Sequence, residues 1–363
     1  MNLSQRACLA LVICLPALAA PEQTPAQAAA TLATSEGRIH LDVMVTDKPG
    51  QPVSGLVADD FSLLDNNQPG KILSFHVNDA TALSELIIVI DQVNVMADED
   101  VLIHEGVEKF LRQNGGHLAQ PVVLLNLTEK GLNLLSQSFL DGNALADQVH
   151  KLPPASLLQL SNTNTYRYKN GSIMGAGITT ATNGWEQSQR VAFSVNALDS
   201  IVQGEGKKPG KKLLIWASRG WPLLYWPNIE INDKAHQYYF NEVVGLSAKL
   251  REARISVYSI VAGVGVEDFH FMDFVKVPKK PLDTQPAHLD LRLLAIQSGG
   301  RVVPPSNDLA AQINGCIQDA GNIYSLSFDP PSTKSANEYH TLKVQIGKPG
   351  LTALTNTGYF AQP

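Results

Sequence analysis

A single carboxylate ends an unbroken apolar run in this chain. Asp91 follows Leu86–Ile90, which has the composition of a strand buried on both faces of a parallel sheet. Such a strand delivers Asp91 to the carboxyl edge of the sheet, where open α/β folds bind their ligands. The carboxylate could help to hold a divalent cation there. Val93 and Val95, which follow at alternate positions, have no oxygen to contribute.

A serine after a second apolar run has some features of a hydrolase nucleophile. Ser218 lies in Trp216–Gly220, with a glycine two residues after it, as in the elbow of serine hydrolases. However, Trp216 occupies the position where the elbow needs a small residue, and Trp221–Pro222 breaks the helix that should follow. The residues that could complete a triad are Asp268, His270, Asp273 and His288. None is at a recognisable strand end, so we expect no catalytic residue and no enzymatic activity, with a serine hydrolase using Ser218 as the weakest alternative.

The spacing of possible metal and phosphate ligands is also poor. His104–Glu105 lacks the second histidine of a zinc-binding helix. Gly263–Gly265 lacks the third glycine and the basic partner of a phosphate-binding loop. We therefore expect no cofactor, and no Mg²⁺ unless Asp91 holds it with ligands that the sequence does not reveal.

Aromatic side chains are concentrated after the strand that ends at Ser218. The cluster consists of Trp216, Trp221, Tyr225, Trp226, Tyr238, Tyr239 and Phe240. Trp216 lies inside the strand and is expected in the core. We expect Trp221, Tyr225 and Trp226 to be exposed in a proline-interrupted stretch, where they could form a binding hot spot. Packing of several of these rings in the core is the alternative.

Strands and helices alternate from Leu86 to about Ala320, which predicts βαβ crossovers and a mostly parallel sheet with helices on both faces. The predicted strands are 86–91, 122–126, 132–137, 213–218, 255–261 and 301–303, and the predicted helices lie near 98–113, 142–150, 186–203, 234–253, 289–298 and 306–319. The Lys130–Gly131 link is too short for a crossover, so the strand after it should be antiparallel and at an edge. The fold class is therefore α/β of the Rossmann type, with a six-stranded sheet.

Both ends of the chain have β patterns and bracket the α/β part. Alternating apolar residues and turn residues predict strands in 38–79 and 321–362. Because each segment has too few strands to bury its apolar faces alone, we expect the two to form one small β-sandwich, with residues 83–318 inserted between them. Two separate β flaps are the alternative. A long polar loop at 151–184 interrupts the α/β pattern and is expected to be functional or disordered.

The first residues predict export. Arg6, the apolar stretch Ala7–Leu15 and the small residues of Ala17–Ala19 are typical of a secretory signal peptide over residues 1–19. A disordered tether over residues 20–37, rich in Ala, Gln, Pro and Thr, should follow it. We therefore expect a secreted or periplasmic protein.

Cysteine content and charge restrict the partners and the source of stability. Cleavage would leave Cys316 alone of the 3 cysteines, so the fold must depend on its core rather than on an intrachain disulfide. The net charge of −6 becomes −7 without Arg6, and basic residues occur only in short pairs such as Lys207–Lys208. We therefore expect no nucleic-acid partner. No segment after the signal peptide has the length and hydropathy of a membrane span.

Four separate stretches resemble the bacterial secreted VWFA-related family, and together they extend over nearly the whole mature chain. They are Val45–Leu56 (VTDKPGQPVSGL) with Asp60–Phe61, Pro209–Gly220 (PGKKLLIWASRG), Leu294–Gly300 (LAIQSGG) and Gly358–Phe360. The resemblance implies a von Willebrand A-like fold, secretion and protein binding. It also implies a position for a metal site, because the parent superfamily binds a divalent ion with Asp-x-Ser-x-Ser, a threonine from a second loop and an aspartate after the fourth strand.

Most of these implied metal ligands are replaced in this chain. Val93 and Val95 stand at the two serine positions and Arg219 at the distal aspartate, so only Asp91 carries over. No threonine among Thr179, Thr180 and Thr182 can be assigned to the second loop. The resemblance therefore implies a degenerate site in which the Arg219 guanidinium pairs with Asp91 in place of the ion. The alternative is that Asp91 caps the next turn or helix while Arg219 lies in solvent.

These observations favour a non-enzymatic binding module of the adhesion type. The expected ligand-binding face is formed at the strand ends by Asp91, Asn94, Ser218, Arg219, Trp221, Tyr225 and Trp226. Its expected partner is a protein or a polymer of the cell envelope. A structural subunit of a surface assembly, which pairs its β edges with neighbours, is the alternative from another class.

Overall fold

The computed structural model of the protein describes most of the chain after residue 36. The described ranges are 37–78, 83–95, 97–155, 167–169, 172–174, 182–221, 230–262, 275–321, 323–333 and 335–361. The predicted signal peptide and almost all of the predicted tether lie outside them.

Sixteen strands are present in the described residues, and they form three larger sheets and one hairpin. In chain order they are β1 (Ile39–Thr46), β2 (Phe61–Asp65), β3 (Gln68–Gly70), β4 (Ser74–Asn78), β5 (Leu83–Asp91), β6 (His117–Thr128), β7 (Gly131–Asp141), β8 (Arg167–Lys169), β9 (Ser172–Met174), β10 (Lys211–Ala217), β11 (Ile255–Ala262), β12 (Arg301–Ser306), β13 (Ile323–Phe328), β14 (Glu338–Ile346), β15 (Thr352–Leu354) and β16 (Gly358–Ala361).

The central sheet has six strands in the order β12-β11-β10-β5-β6-β7. All neighbours are parallel except β6 and β7, which form an antiparallel hairpin at one edge. The chain starts in the middle at β5, winds outward to β7 and then returns to β10 on the other side of β5. The predicted α/β fold class, the six-stranded sheet and its antiparallel edge strand are confirmed.

The apolar run in β5 is explained by burial on both faces of this sheet. Leu86, Ile88 and Ile90 belong to one core, whereas Ile87 and Val89 belong to the other, and the relative exposure of all of them is 0%. Side chains of a strand alternate between faces, so a central strand covered on both sides needs apolar residues at consecutive positions.

Six helices within the described ranges cover the two faces. They are α1 (Ala97–Leu111), α2 (Gly142–His150), α3 (Thr182–Glu205), α4 (Asp233–Glu252), α5 (Leu291–Gln297) and α6 (Leu309–Gly321). Apolar residues of α1, α2 and α6 pack in the first core, and those of α3, α4 and α5 pack in the second. All of these helices overlap predicted ones, although α3 begins earlier than predicted and α6 continues to Gly321. No helix among the described residues has the length and apolarity needed to cross a membrane.

The strands from the two ends of the chain pair with each other in two antiparallel sheets. One sheet has the order β15-β1-β13-β4 and the other β16-β14-β2-β3. In the first, β1 pairs with β13 from Ile39↔Phe328 to Met44↔Ile323. In the second, β14 pairs with β2. Leu41, Val43, Tyr324 and other residues of both segments share one buried core, so neither end of the chain forms a separate flap.

The long polar loop contains a short hairpin of β8 and β9. It therefore has some regular structure, which its composition did not predict. The role predicted for this loop stays a prediction, because most of residues 151–184 lie outside the described ranges.

A cluster of charges joins the antiparallel sheets to the central sheet. Asp42 of β1 lies 3.2 Å from Arg254, before β11, and 3.7 Å from Lys211 at the start of β10. The Ser325 hydroxyl donates to the same carboxylate at 2.6 Å. Burial raises the pKa of Asp42, but the two cations and this hydrogen bond lower it by more, so its pKa lies below the usual value. The charged carboxylate is therefore the form that stabilises this junction.

Replacing Asp42 with Asn should lower the free energy of unfolding by about 3 kcal/mol at neutral pH, because Lys211 would be left buried without its counter-charge. Since folding lowers the pKa of Asp42, its contribution is complete above the unfolded carboxyl pKa of about 4 and is lost as the pH falls through the folded value. The difference between wild type and Asp42→Asn should thus shrink in acid. Urea unfolding at neutral and acidic pH measures both effects.

Asp329→Asn is the matched control for this change. Asp329 forms an exposed ion pair with Arg38 beside the antiparallel sheets. Its replacement should therefore have little effect on the free energy of unfolding. Equal losses in the two variants would contradict a special role for Asp42.

Candidate functional site

The candidate site lies where the winding direction of the central sheet reverses. The neighbouring strands β5 and β10 are parallel, with Ile90 opposite Ala217, and the chain leaves them in opposite directions along the sheet. Open α/β sheets bind their ligands in the crevice outside the carboxyl ends at such a point. Asp91 is the last residue of β5, and Ser218 is the first residue after β10, one position beyond the end of that strand.

The Asp91 carboxylate accepts hydrogen bonds from protein groups on both oxygens. Its Oδ1 accepts from the backbone N–H groups of Val93 at 2.9 Å and Asn94 at 3.0 Å. Its Oδ2 accepts from Asn94 Nδ2 and from the indole Nε1 of Trp216, both at 2.7 Å. Asp91 therefore caps the turn that follows β5, and Trp216 of β10 supplies a side-chain donor from the neighbouring strand.

The Asp91 side chain is completely buried, and its hydrogen-bond partners among the described residues are all uncharged. Its relative exposure is 0%, and burial raises the pKa of this carboxyl above its usual value. The hydrogen bonds from Asn94, Trp216 and Val93 hold part of that rise back. A buried carboxylate without a counter-ion needs donors of this kind, because transfer out of water is otherwise very unfavourable.

The predicted pair between Asp91 and Arg219 is wrong. Arg219 Nε lies 3.1 Å from Glu99 Oε1, in the first turn of α1, and its side chain is 49% exposed. The alternative interpretation was correct for Asp91, which caps a turn, but Arg219 is ion-paired rather than free in solvent. Arg219 is half-exposed but Glu99 is buried, so Arg219→Ala would leave a buried carboxylate without this counter-charge and should lower the free energy of unfolding by about 1–3 kcal/mol.

The two valines at the implied serine positions belong to the cores. Val93 is 3% exposed and packs on the α3–α4 side, and Val95 is 5% exposed and packs on the α1–α2 side. Apolar side chains on either side of Asp91 therefore exclude water from the crevice.

Asn94 holds the turn against the neighbouring elements. Its Nδ2 also donates to Ser194 Oγ of α3 at 2.8 Å, and its backbone carbonyl accepts from the N–H of Arg219. Its Oδ1 is buried and has no donor among the described residues. Asn94 thus fastens the ends of β5 and β10 together and is only 5% exposed.

A second set of polar groups closes the crevice between β5 and β6. Gln92 Nε2 donates to the carbonyl of Pro153 at 2.8 Å, and Asn126 Nδ2 donates to Gln92 Oε1 at 3.0 Å. The Asp100 carboxylate accepts from the N–H of Ala155 at 2.7 Å. These bonds connect both strand ends to the segment after α2.

Ser218 does not have the surroundings of a nucleophile. It is 1% exposed, and its Oγ accepts from the N–H of Gly220 at 3.0 Å. Gly220 has φ +101°, which is far from the φ of a residue in a right-handed helix. His288 bonds within its own turn at Gln285. The other proposed triad members, Asp268, His270 and Asp273, lie outside the described residues.

Cys316 is also unsuited to act as a nucleophile, and His104 with Asp100 does not form a metal site. Burial raises the pKa of the Cys316 thiol to about 12, so it stays protonated at neutral pH. His104 Nε2 lies 3.4 Å from Asp100 Oδ1, but the described residues contain no group of His, Cys, Asp and Glu side chains able to hold a metal ion.

The expected exposure of Trp221 is wrong. Trp221 is 3% exposed, and its ring packs edge-on against Trp216 with centroids 5.5 Å apart. The structure therefore supports the core-packing alternative for this residue. Tyr225 and Trp226 lie outside the described residues. Tyr238 on α4 is 55% exposed, whereas Phe240 is buried.

Of the predicted binding residues that the structure describes, only Arg219 is substantially exposed. Asp91, Asn94, Ser218 and Trp221 are buried beneath the strand-end surface, where they support it. Sequence reasoning assigned Trp216 to the core and missed its hydrogen bond to Asp91. The sequence signal for this bond was an indole N–H group near the end of the strand that neighbours Asp91.

Exchanging Trp216 for Phe should remove the indole donor and lower the free energy of unfolding by about 1–3 kcal/mol more than the same exchange at Trp221. Both rings are buried, but Trp221 Nε1 has no acceptor among the described residues. The two variants thus differ chiefly in the bond to Asp91. Denaturant titration of both variants measures the difference, and equal losses would mean that the bond contributes nothing.

Millimolar Mg²⁺, Mn²⁺ or Ca²⁺ should leave the melting temperature unchanged. Both oxygens of Asp91 already accept from protein donors, and a ligand that bound only the folded state would raise that temperature. A thermal shift that a chelator reverses would show that the ion can displace these donors.

A scan of protein-family models and a search of curated proteins found no match to this chain. Among solved structures it is similar to the SpRpn10 VWA domain, with a TM-score of 0.30 and 12% identity, over 64% of this chain and 94% of that one. It is also similar to the manganese-loaded Plasmodium vivax TRAP protein, with a TM-score of 0.30, 10% identity and coverages of 78% and 97%. For the TFIIH p34 N-terminal domain the TM-score is 0.26 and the identity 12%, with coverages of 66% and 98%. At these scores the α/β fold class rests on the strand order and connections of the chain itself.

Proposed function

We propose that this chain is a secreted or periplasmic, non-enzymatic binding module that engages a protein or a cell-envelope polymer without a metal ion. The observation that carries the proposal is the hydrogen bond from Trp216 Nε1 to Asp91 Oδ2. Through this bond Trp216 satisfies an oxygen of the Asp91 carboxylate, which lies where open α/β sheets have their ligand site. The crevice is therefore filled by the protein's own groups, and binding must use the surface above it.

The surroundings of Ser218 argue against hydrolysis. A serine nucleophile needs a base within hydrogen-bond reach and access for the substrate. Ser218 is buried, and its hydroxyl oxygen accepts from a backbone N–H group. These features favour a structural role for Ser218, which stabilises the turn at Gly220 through this hydrogen bond.

Arg219 is the best-placed binding residue among those described. It lies beyond the end of β10, half-exposed, and Glu99 holds its guanidinium at the start of α1. The segments after β10 and β11 leave the sheet at this same edge, and the first of them contains Tyr225 and Trp226. Arginine, tyrosine and tryptophan are the residues enriched in binding hot spots, so a protein surface is the favoured partner.

Charge reversal at Arg219 tests this proposal. The wild-type protein should retain a partner from a cell-envelope extract. The amount that Arg219→Glu retains should be lower by about tenfold or more. Retention by the wild type should be the same with Mg²⁺ and with a chelator. Immobilised protein, followed by quantification of the bound material, measures both.

Arg38→Glu is the control, because Arg38 is also an arginine paired with a carboxylate, but it lies beside β1 of the antiparallel sheets, away from the strand-end face. It should bind the partner like the wild type. Arg219→Glu should remain folded, with a lower melting temperature because it places a like charge beside the buried Glu99, so binding is compared at a temperature where both variants are folded. Equal binding by all three proteins would contradict a role for the strand-end face. Turnover of esters or peptides that Ser218→Ala abolishes would overturn the non-enzymatic assignment.

A further inference from the structure

Among the strands that the structure describes, the antiparallel edge strand β7 has a partner on one side only. It is 11 residues long, and it pairs with β6 on one side through a ladder with several register shifts. No other strand in the described ranges pairs with it, so the sheet ends here. The backbone N–H and C=O groups on the outer side of such a strand are available to another chain.

The composition of β7 offers little protection against such pairing. Natural edge strands usually carry charged residues or proline that discourage contact with other strands. Residues 132–140 contain none of these, although the chain as a whole has a net charge of −6. Leu134, Phe139 and Leu140 are 53%, 47% and 55% exposed. A large apolar ring and two leucines on an uncharged open edge are features of a contact surface.

The charges at the two ends of β7 fit a second copy of the same strand. Lys130 precedes the strand, next to Glu129 in the turn, and Asp141 ends it. When two identical strands pair antiparallel about a two-fold axis, the start of each lies beside the end of the other. Lys130 of one copy then approaches Asp141 of the other, and the uncharged middle produces no repulsion.

We propose that β7 pairs with β7 of a second copy of this chain, forming a two-fold symmetric dimer with one continuous central sheet. The apolar side chains of Leu134, Phe139 and Leu140 are covered in this dimer. The contact is closed, because each copy uses its only β7 edge. The inference goes beyond the proposed binding function and does not depend on it.

Sedimentation of the purified protein tests the dimer. The wild type should be dimeric at micromolar concentrations, and Leu134→Lys should raise the dimer dissociation constant by about tenfold or more, because it places like charges on both sides of the axis. Leu282→Lys is the control, since Leu282 is 64% exposed and lies outside β7. It should remain dimeric. A wild-type monomer at these concentrations, or equal behaviour of the two lysine variants, would overturn the proposal.

A cysteine near the middle of β7 identifies the strand that forms the contact. In a background with Cys8 and Cys14 replaced by Ser, Gln137→Cys should form an intermolecular disulfide under mild oxidation, because Gln137 is exposed and next to the centre of the strand. Cys316 is buried and should not compete. Leu282→Cys is the control and should not cross-link. A dimer that Gln137→Cys fails to cross-link would place the contact elsewhere and contradict the pairing of β7.

Discussion

The switch point of the central sheet depends on keeping the Asp91 carboxylate hydrogen-bonded while it is buried. Burial alone raises its pKa, and the donors that oppose this rise come from the following turn and from Trp216. Each donor requires a particular arrangement: the turn must close on Asp91, β10 must lie beside β5, and Asn94 must reach both Asp91 and Ser194. The geometry around the site therefore follows from the need to give one buried carboxyl group its hydrogen-bond donors.

Much of the fold could be predicted because its signals are periodic and local. The apolar run of β5, the alternation of strands and helices and the short turn before β7 all determine neighbouring structure directly. The contact between the two ends of the chain was also predictable, since neither segment could bury its apolar faces alone. These inferences need only the spacing of residues along the chain.

The site was less predictable because it depends on side-chain directions at strand ends. Asp91 ends β5 and Arg219 follows the end of the adjacent strand β10, yet Arg219 pairs with Glu99 on α1 instead of Asp91. Acidic residues in the first turn of a helix interact favourably with its dipole, so the acidic first turn of α1 does not by itself indicate that Glu99 pairs with Arg219. Likewise, the position of Trp216 in an apolar strand predicts that it is in the core. The pattern of apolar residues does not show where its single polar atom forms a hydrogen bond.

The pairing of β1 with β13 has a consequence for the order of folding. The Tyr324 hydroxyl donates to the carbonyl of Val53 and accepts from the N–H of Leu56, a residue 268 positions away in the chain. Contacts between such distant residues require a large loop to close first and therefore form slowly. The central α/β part can form its βαβ contacts from nearby segments while β1 still lacks its neighbour. During synthesis the chain must consequently keep its first strands from aggregating until β13 and the strands after it are available, which makes the amino-terminal strands the part of the molecule most in need of a chaperone.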